Sequence, residues 1–156
     1  VAECARLVSA CYVDRGCRSP EDLLCGYHIT NIVGTETAGE DLARYGGGLL
    51  RIDITDGTVI PSKRSPEAVL RQANGWRFTG CIILSIGSVG TGAGLDYDFL
   101  DRMRSVYHRK LYWGGGVATT SDLQMLSDAG FDGAIIATAL HKGQVPLAWI
   151  RRGYCC

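Results

Sequence analysis

Six of the eight units of a (β/α)8 barrel, an α/β fold, are predicted for this 156-residue chain by three observations. Short β-branched or aromatic runs alternate with stretches of helical spacing, which requires a parallel sheet. A strand, glycine turn and helix start are duplicated at an offset of one hundred residues. Tyr12-Val13-Asp14-Arg15-Gly16 with Asp22-Leu23 realigns on Tyr112-Trp113-Gly114-Gly115-Gly116 with Asp122-Leu123, and such self-similarity marks a repeated supersecondary unit. The following strand is duplicated too, Ile32-Val33-Gly34-Thr35 matching Ile135-Ile136-Ala137-Thr138. Two halves of four strands make eight. A doubly wound sheet also alternates strands and helices, but it does not require a repeat half a barrel apart. A barrel of this kind typically takes about 250 residues, so the first two βα units are expected to be missing and residues 1–156 to form one domain.

The strands are expected near 10–13, 31–34, 49–54, 81–86, 110–113 and 133–138, with helices over 66–76, 97–107 and 121–129. Helix starts carry the usual chemistry. Ser19 precedes Pro20 and Asp22, Ser65 precedes Pro66 and Glu67, and Thr120 or Ser121 precedes Leu123, each placing a hydroxyl before a first turn that tolerates proline or acid. Gly130 then stops the helix opened at Ser121, as a left-handed residue after a helix does. The first residues, 2–7, read as the middle of a helix, and no basic-plus-apolar leader precedes them, which suggests a truncated or processed product.

Composition narrows the partners. With 46% apolar residues and sixteen charges of each sign, the chain can bury a core, and no net positive field draws it to nucleic acid or anionic lipid. Its apolar runs are strand-sized, far below the ~20 residues that span a bilayer, so no membrane association is expected. Seven cysteines are an odd number without a C-x-x-C pair. They read as reduced thiols in a cytoplasmic protein, with no metal site and no cofactor.

Chemistry gathers where strands end. Gly114, Gly115 and Gly116 stand directly after one strand and before a helix. Their bare backbone N–H groups can close on an anion toward which the helix turns its positive end. Ala137, Thr138 and Ala139 end the last strand with small residues beside a hydroxyl. Together the two segments form the phosphate site expected of the last two barrel strands; otherwise the glycines make only a tight turn. By the repeat, a second anion site is expected at Arg15, Gly16, Gly34 and Thr35. There Asp14 stands where Gly114 does and repels phosphate unless Arg15 compensates.

Alternation along Arg51-Ile52-Asp53-Ile54 puts Asp53 opposite the isoleucines, on the face that can open into the site. Asp53 is therefore the candidate general acid or base, or else a buried hydrogen-bond acceptor above a Thr55-Asp56-Gly57 turn. The run from Gly87 to Gly94 lacks dinucleotide-binding spacing. It reads as a loop over the site, with Ser85, Ser88 and Thr91 as polar contacts. His28, His108 and His141 carry no functional signal, and Gly46-Gly47-Gly48 is a connector.

Taken together, Gly114-Gly115-Gly116-Val117, Asp122-Leu123, Gly130-Phe131-Asp132-Gly133 and the run from Ala137 to Gly143 resemble the closing units of phosphoribosylformimino-aminoimidazole carboxamide ribotide isomerase, of histidine biosynthesis. The resemblance reaches back through Asp53 to Gly34-Thr35 and residues 12–23. It implies an Amadori rearrangement of a phosphorylated aminoaldose to an aminoketose. It implies further that Asp53 is the acidic residue of the fifth strand, that a second catalytic Asp belongs to an absent first strand, and that a family Thr falls at or near Leu84, with Ser85 the nearby hydroxyl. The competing expectation is a non-catalytic phosphosugar-binding or structural barrel. In either case the first and last strands present open edges through which copies of the chain could associate.

Overall fold

The computed structural model describes residues 9–87 and 95–152. Its β-branched and aromatic runs form β1 (Cys11–Asp14), β2 (Ile29–Gly34), β3 (Leu49–Thr55), β5 (Gly80–Ser85), β6 (Lys110–Gly114) and β7 (Gly133–Ile135). All six pair in parallel, in the order β1-β2-β3-β5-β6-β7. A seventh strand, β4 (Thr58–Val59), folds back antiparallel on β3. Asp56 and Gly57, at φ 50° and 72°, give the hairpin the left-handed turn pair that matches strand twist. The turn was legible in the sequence; a two-residue strand was too short to be.

Strand order follows chain order without reversal. Since crossovers between parallel strands are right-handed, a monotonic order sends every connection over the same face of the sheet. A doubly wound sheet would reverse direction at its centre. The helices α1 (Pro66–Ala73), α2 (Tyr97–Val106) and α3 (Thr120–Asp128) follow β4, β5 and β6, and the short α4 (Thr138–His141) and α5 (Leu147–Arg152) follow β7. After β1 and β2 there are only 3-10 turns, η1 (Pro20–Asp22) and η2 (Leu42–Arg44). Pro20 and Gly26 interrupt the first of these connections and Gly39 and Gly46-Gly47-Gly48 the second, and both residue types disfavour helix interiors. Parallel β/α alternation is thus present, while two of the six units lack an α-helix. The last strand also ends earlier than expected, because Thr138 opens α4.

Side-chain alternation divides the sheet into two unlike faces. Toward the helices, Val33, Leu50, Ile52, Ile54, Cys81, Ile83, Leu111 and Trp113 pack against Val69, Leu70, Leu100, Met103 and Leu126 in one continuous core. The other face holds Ile32, Leu49 and Ile82 as a second apolar cluster, with Tyr112 beside them. Beyond those residues, toward the C-terminal strand ends, it carries Asp14, Arg51 and Asp53. At the opposite end Arg109 ties the α1–β5 connection to β6, its guanidinium donating to the carbonyls of Asn74, Trp76 and Phe78 at 2.7–2.8 Å.

The one-hundred-residue repeat survives at atomic detail. Asp22 Oδ2 accepts from the amides of Arg18 and Ser19 at 2.8 and 3.0 Å, and Asp122 Oδ2 accepts from those of Ala118 and Thr119 at 2.9 and 2.8 Å. Thr119 completes a reciprocal cap on α3 by accepting the Asp122 amide at 3.3 Å. Asp122 is buried, so its loss would strand several donors that water reaches poorly. Asp122→Ala is expected to cost about 2 kcal/mol, measured as a fall in the urea midpoint at unchanged slope; an unchanged midpoint would show that the cap does not hold the loop.

Candidate functional site

Register places the charged mouth of the sheet. Asp53 of β3 is level with Leu84 of β5, Gly114 of β6 and Ile135 of β7, so the four share one row on one face. Adjacent strands are about 4.8 Å apart, which puts Asp53 about 10 Å from the backbone of Gly114. That is the span of a small phosphosugar rather than of a single ion.

Asp53 is fully buried, at 0% exposure. Its Oδ2 accepts from the Thr35 hydroxyl at 3.4 Å, and its amide donates to that hydroxyl at 3.2 Å. Its Oδ1 lies 2.8 Å from Arg51 Nε in an ion pair whose N–H is not aimed along the line between the atoms, and neither atom has a hydrogen-bond partner. Burial pushes the Asp53 carboxyl above its ordinary range, and Arg51 opposes that rise without cancelling it. Burial therefore favours the protonated form of this group more than water would.

Arg51 reaches three carboxylates because Gly34 lets it. Gly34 is the neighbour of Arg51 across β2, and a Cβ there would lie 2.6 Å from the guanidinium. Through that gap Arg51 Nη1 meets Asp14 Oδ2 on β1, and Nη2 lies 3.7 Å from Glu36 Oε2. The cation that answers Asp14 is thus Arg51 rather than Arg15. Sequence reasoning passed over Arg51 and Glu36. The available signal was period two, which puts Arg51 on the face of Asp53.

The expected phosphate segments differ in character. Gly115 and Gly116 hold φ of 93° and 74°, a backbone shape that side chains disfavour, and Trp113 Nε1 donates to the Gly115 carbonyl at 2.7 Å. Among the described residues no acceptor takes the amides of Gly115, Gly116 or Val117. Ala137 precedes α4, whose first-turn amides at Thr138, Ala139 and Leu140 have no intrahelical partner. Gly114 also has a packing role, since a Cβ on it would meet Leu84 at 2.8 Å.

At the expected second anion site the donors of Gly16 and Thr35 are already engaged. The Gly16 amide donates to Asp14 Oδ1 at 3.3 Å and the Thr35 amide to the Arg51 carbonyl at 2.9 Å, while the Thr35 hydroxyl serves Asp53. Ser85 pairs with Ile54, so strand alternation sends it to the helix face, away from Asp53; Ser88 and Thr91 lie outside the described residues. A cleft of about 620 Å³ is lined by Thr35, Leu42, Val59, Pro61, Val69 and Trp76 among others and by none of the four residues of the row.

Among the described residues no cluster of His, Cys, Asp and Glu could hold a metal ion, and no helix is long and apolar enough to cross a membrane. Cys11, Cys17, Cys25 and Cys81 are unpaired. Burial pushes the Cys81 thiol up to about 12, which leaves it unreactive at neutral pH.

A parallel β/α sheet in chain order, with its charged and glycine-rich ends gathered at one mouth, defines a class of α/β proteins that bind ligands at the C-terminal ends of their strands. Within that class the chain belongs to the family described as histidine biosynthesis protein, whose sequence model matches residues 41–146. It is 42% identical over 137 residues to the 1-(5-phosphoribosyl)-5-((5-phosphoribosylamino)methylideneamino)imidazole-4-carboxamide isomerase of Deinococcus radiodurans, a match covering 83% of this chain and 51% of the relative. An uncharacterized protein of Methanocaldococcus jannaschii is 31% identical over 86% of this chain and 61% of its own length. The isomerase of Thermus thermophilus is 41% identical over 58 residues, 37% of this chain and 25% of the relative. The chain spans about half to three-fifths of the length of the first two.

The Arg51–Asp53 pair has a measurable signature. A carboxyl raised by burial contributes stability that is fully present below the ordinary carboxyl range and is lost as pH rises through its folded value. Arg51→Met raises that value further and leaves the charge uncompensated. The variant is expected to lose about 3 kcal/mol at neutral pH and progressively less as pH falls and Asp53 takes up its proton. Denaturation across this pH range checks it, and a deficit independent of pH would mean that Arg51 acts through packing alone.

Proposed function

We propose that this chain is the larger part of a (β/α)8 phosphosugar isomerase that converts an aminoaldose to an aminoketose by an Amadori rearrangement. The observation that carries this reading is the row that sets Asp53 two strands from Gly114. A phosphate held by the amides of Gly115 to Val117 and of Thr138 to Leu140 would bring the sugar's reacting carbons over the Asp53 carboxyl. Membership of the family supports it, as does the printed activity of the Deinococcus relative. Metal ions and cofactors have no part in the scheme.

The chemistry asks one group to act in both directions. Protonated Asp53 donates to the ring oxygen as the ring opens to an iminium; the carboxylate so formed lies beside Arg51, which stabilises it. A base then takes the proton from the adjacent carbon, giving the enolamine, and return of a proton elsewhere on that unit gives the aminoketose. The net change moves hydrogen between neighbouring carbons, so no oxidant or reductant is needed. A carboxyl raised by burial but paired with a guanidinium suits both halves of the cycle.

In this reading six strands of a single domain are supplied here, and closure of the barrel requires two more strands between the β7 and β1 edges. Among the described residues each of those strands has only one neighbour, and Tyr12 and Ile135 on them are at least half exposed. Edges of this kind pair with other chains, so the 156-residue chain alone should form dimers, with a cytoplasmic setting for the reduced thiols. Light scattering at high concentration tests the association, and a well-behaved monomer speaks against it.

Two titrations test the assignment of residues. Gly115→Asp should abolish phosphate binding in calorimetry, and unchanged binding would remove the phosphate from that turn. Isomerisation by the protein should fall ~10² to 10⁴-fold in Asp53→Asn while phosphate affinity changes little; intact turnover would mean that Asp53 is not a catalytic residue.

A further inference from the structure

The connection from β2 to β3 holds only the three-residue η2, where the later units hold helices of eight, ten and nine residues. Of η2 only Leu42 is buried, so the room that a helix would take beside α1 is left as the cleft of about 620 Å³. That volume is within the range of small-molecule sites. The lining comes from the segments after β2 and after β3, in the middle of the strand order rather than at either edge of the sheet. Its surfaces are unlike one another. Leu42, Val59 and Val69 are buried and make it apolar within, and Trp76, half-buried, packs on the same core. At the surface, Glu40 and Asp41 stand on the η2 side and Arg64 on the α1 side. Arg64 is fixed there: its Nη1 donates to Gln72 Oε1 at 2.8 Å, and its carbonyl accepts from the Val59 amide at 2.9 Å. Glu40 has no ion pair among the described residues, and Asp41 has only Arg44, at 4.0 Å and in solvent.

We infer that this cleft binds a small zwitterion with an apolar side chain, the class of the aromatic and branched α-amino acids. The ligand carboxylate meets Arg64, whose planar fork of donors suits it. The ammonium meets Glu40 and Asp41 across the opening, and the side chain covers Val59, Val69 and Trp76. A ligand with one charge would leave one side of the opening unanswered, and a ligand without an apolar part would leave the interior wet. Charges at an exposed rim select among ligands more than they tighten binding, so the site is selective and weak. It stands outside the row of Asp53 and Gly114, and the inference does not depend on the isomerase reading.

Calorimetry of the full chain tests it with L-phenylalanine, with phenethylamine, which lacks the carboxylate, and with 3-phenylpropionate, which lacks the ammonium. L-phenylalanine should bind at one per chain with a Kd of about 1 mM or below, at least about fivefold more tightly than either analogue. Arg64→Gln should remove its advantage over phenethylamine, and Glu40→Gln combined with Asp41→Asn its advantage over 3-phenylpropionate. All three positions are exposed, so the urea midpoint of each variant should stay at the wild-type value, which separates lost binding from lost folding. The comparison of the three ligands on wild type needs no variant. No heat from L-phenylalanine at about ten times that concentration overturns the inference. So does an analogue that binds as tightly as L-phenylalanine, because one charge then suffices. Binding that ignores both sets of substitutions removes the ligand from the cleft and overturns it as well.

Discussion

A carboxylate with no exposed surface can stay at the end of a strand only if a cation stays with it, and Arg51 is that cation for Asp53. The two stand on the same strand two residues apart, so the pleat alone brings them to one face. Ile52 between them and Ile54 beyond point the other way, into the core beneath the helices. A single stretch of β3 therefore anchors the sheet to its helices on one side and builds the charged mouth on the other. Slipping the register by one residue would bury Arg51 and Asp53 among leucines and isoleucines and expose Ile52 and Ile54. The site and the core fix each other's registration.

Arg51 also shows how a repeat can lose its symmetry without losing its fold. The capping carboxylates Asp22 and Asp122 hold equivalent loops by equivalent bonds, so the backbone framework is kept in both halves. What changed is what the framework presents. The second half offers bare glycine amides, whereas the first offers a carboxylate, and that carboxylate is satisfied by an arginine from a strand two places away. Gly34 is the enabling residue, because any side chain there would stand in the guanidinium's path.

The parallel sheet, its strand positions and the three longer helices were legible because each rests on a local pattern: β-branched runs, hydroxyl caps before proline or acid, and a glycine stop. Asp53 was legible because alternation sets it opposite two isoleucines. The parts that were not legible depend on distant partners. Nothing local announces that Arg51 crosses Gly34 to reach Asp14, since the contact joins residues on three strands. The condition that Arg15 compensate Asp14 considered only the chain neighbour, whereas Arg51 from β3 is the cation that pairs with Asp14. Ser85 was misplaced for the same reason, its nearness to Leu84 in sequence being separation in space. The final strand was drawn too long because Ala137 and Thr138 are as compatible with a strand end as with a helix start, and only the turn at α4 decides between them.

Burial on one side and charge on the other also explain why chemistry belongs at this end of the sheet. The face away from the helices is apolar at Ile32, Leu49 and Ile82, which closes it to water from below and lowers the dielectric under Asp53. Above that floor stand Arg51 and Asp53, then the glycine turn after β6, all on strand ends that point the same way because the strands are parallel and in order. An antiparallel arrangement would have sent alternate ends to opposite rims and divided the charged groups between them. Parallel order gathers them at a single rim, and the apolar floor makes each charge there act more strongly than it would in water.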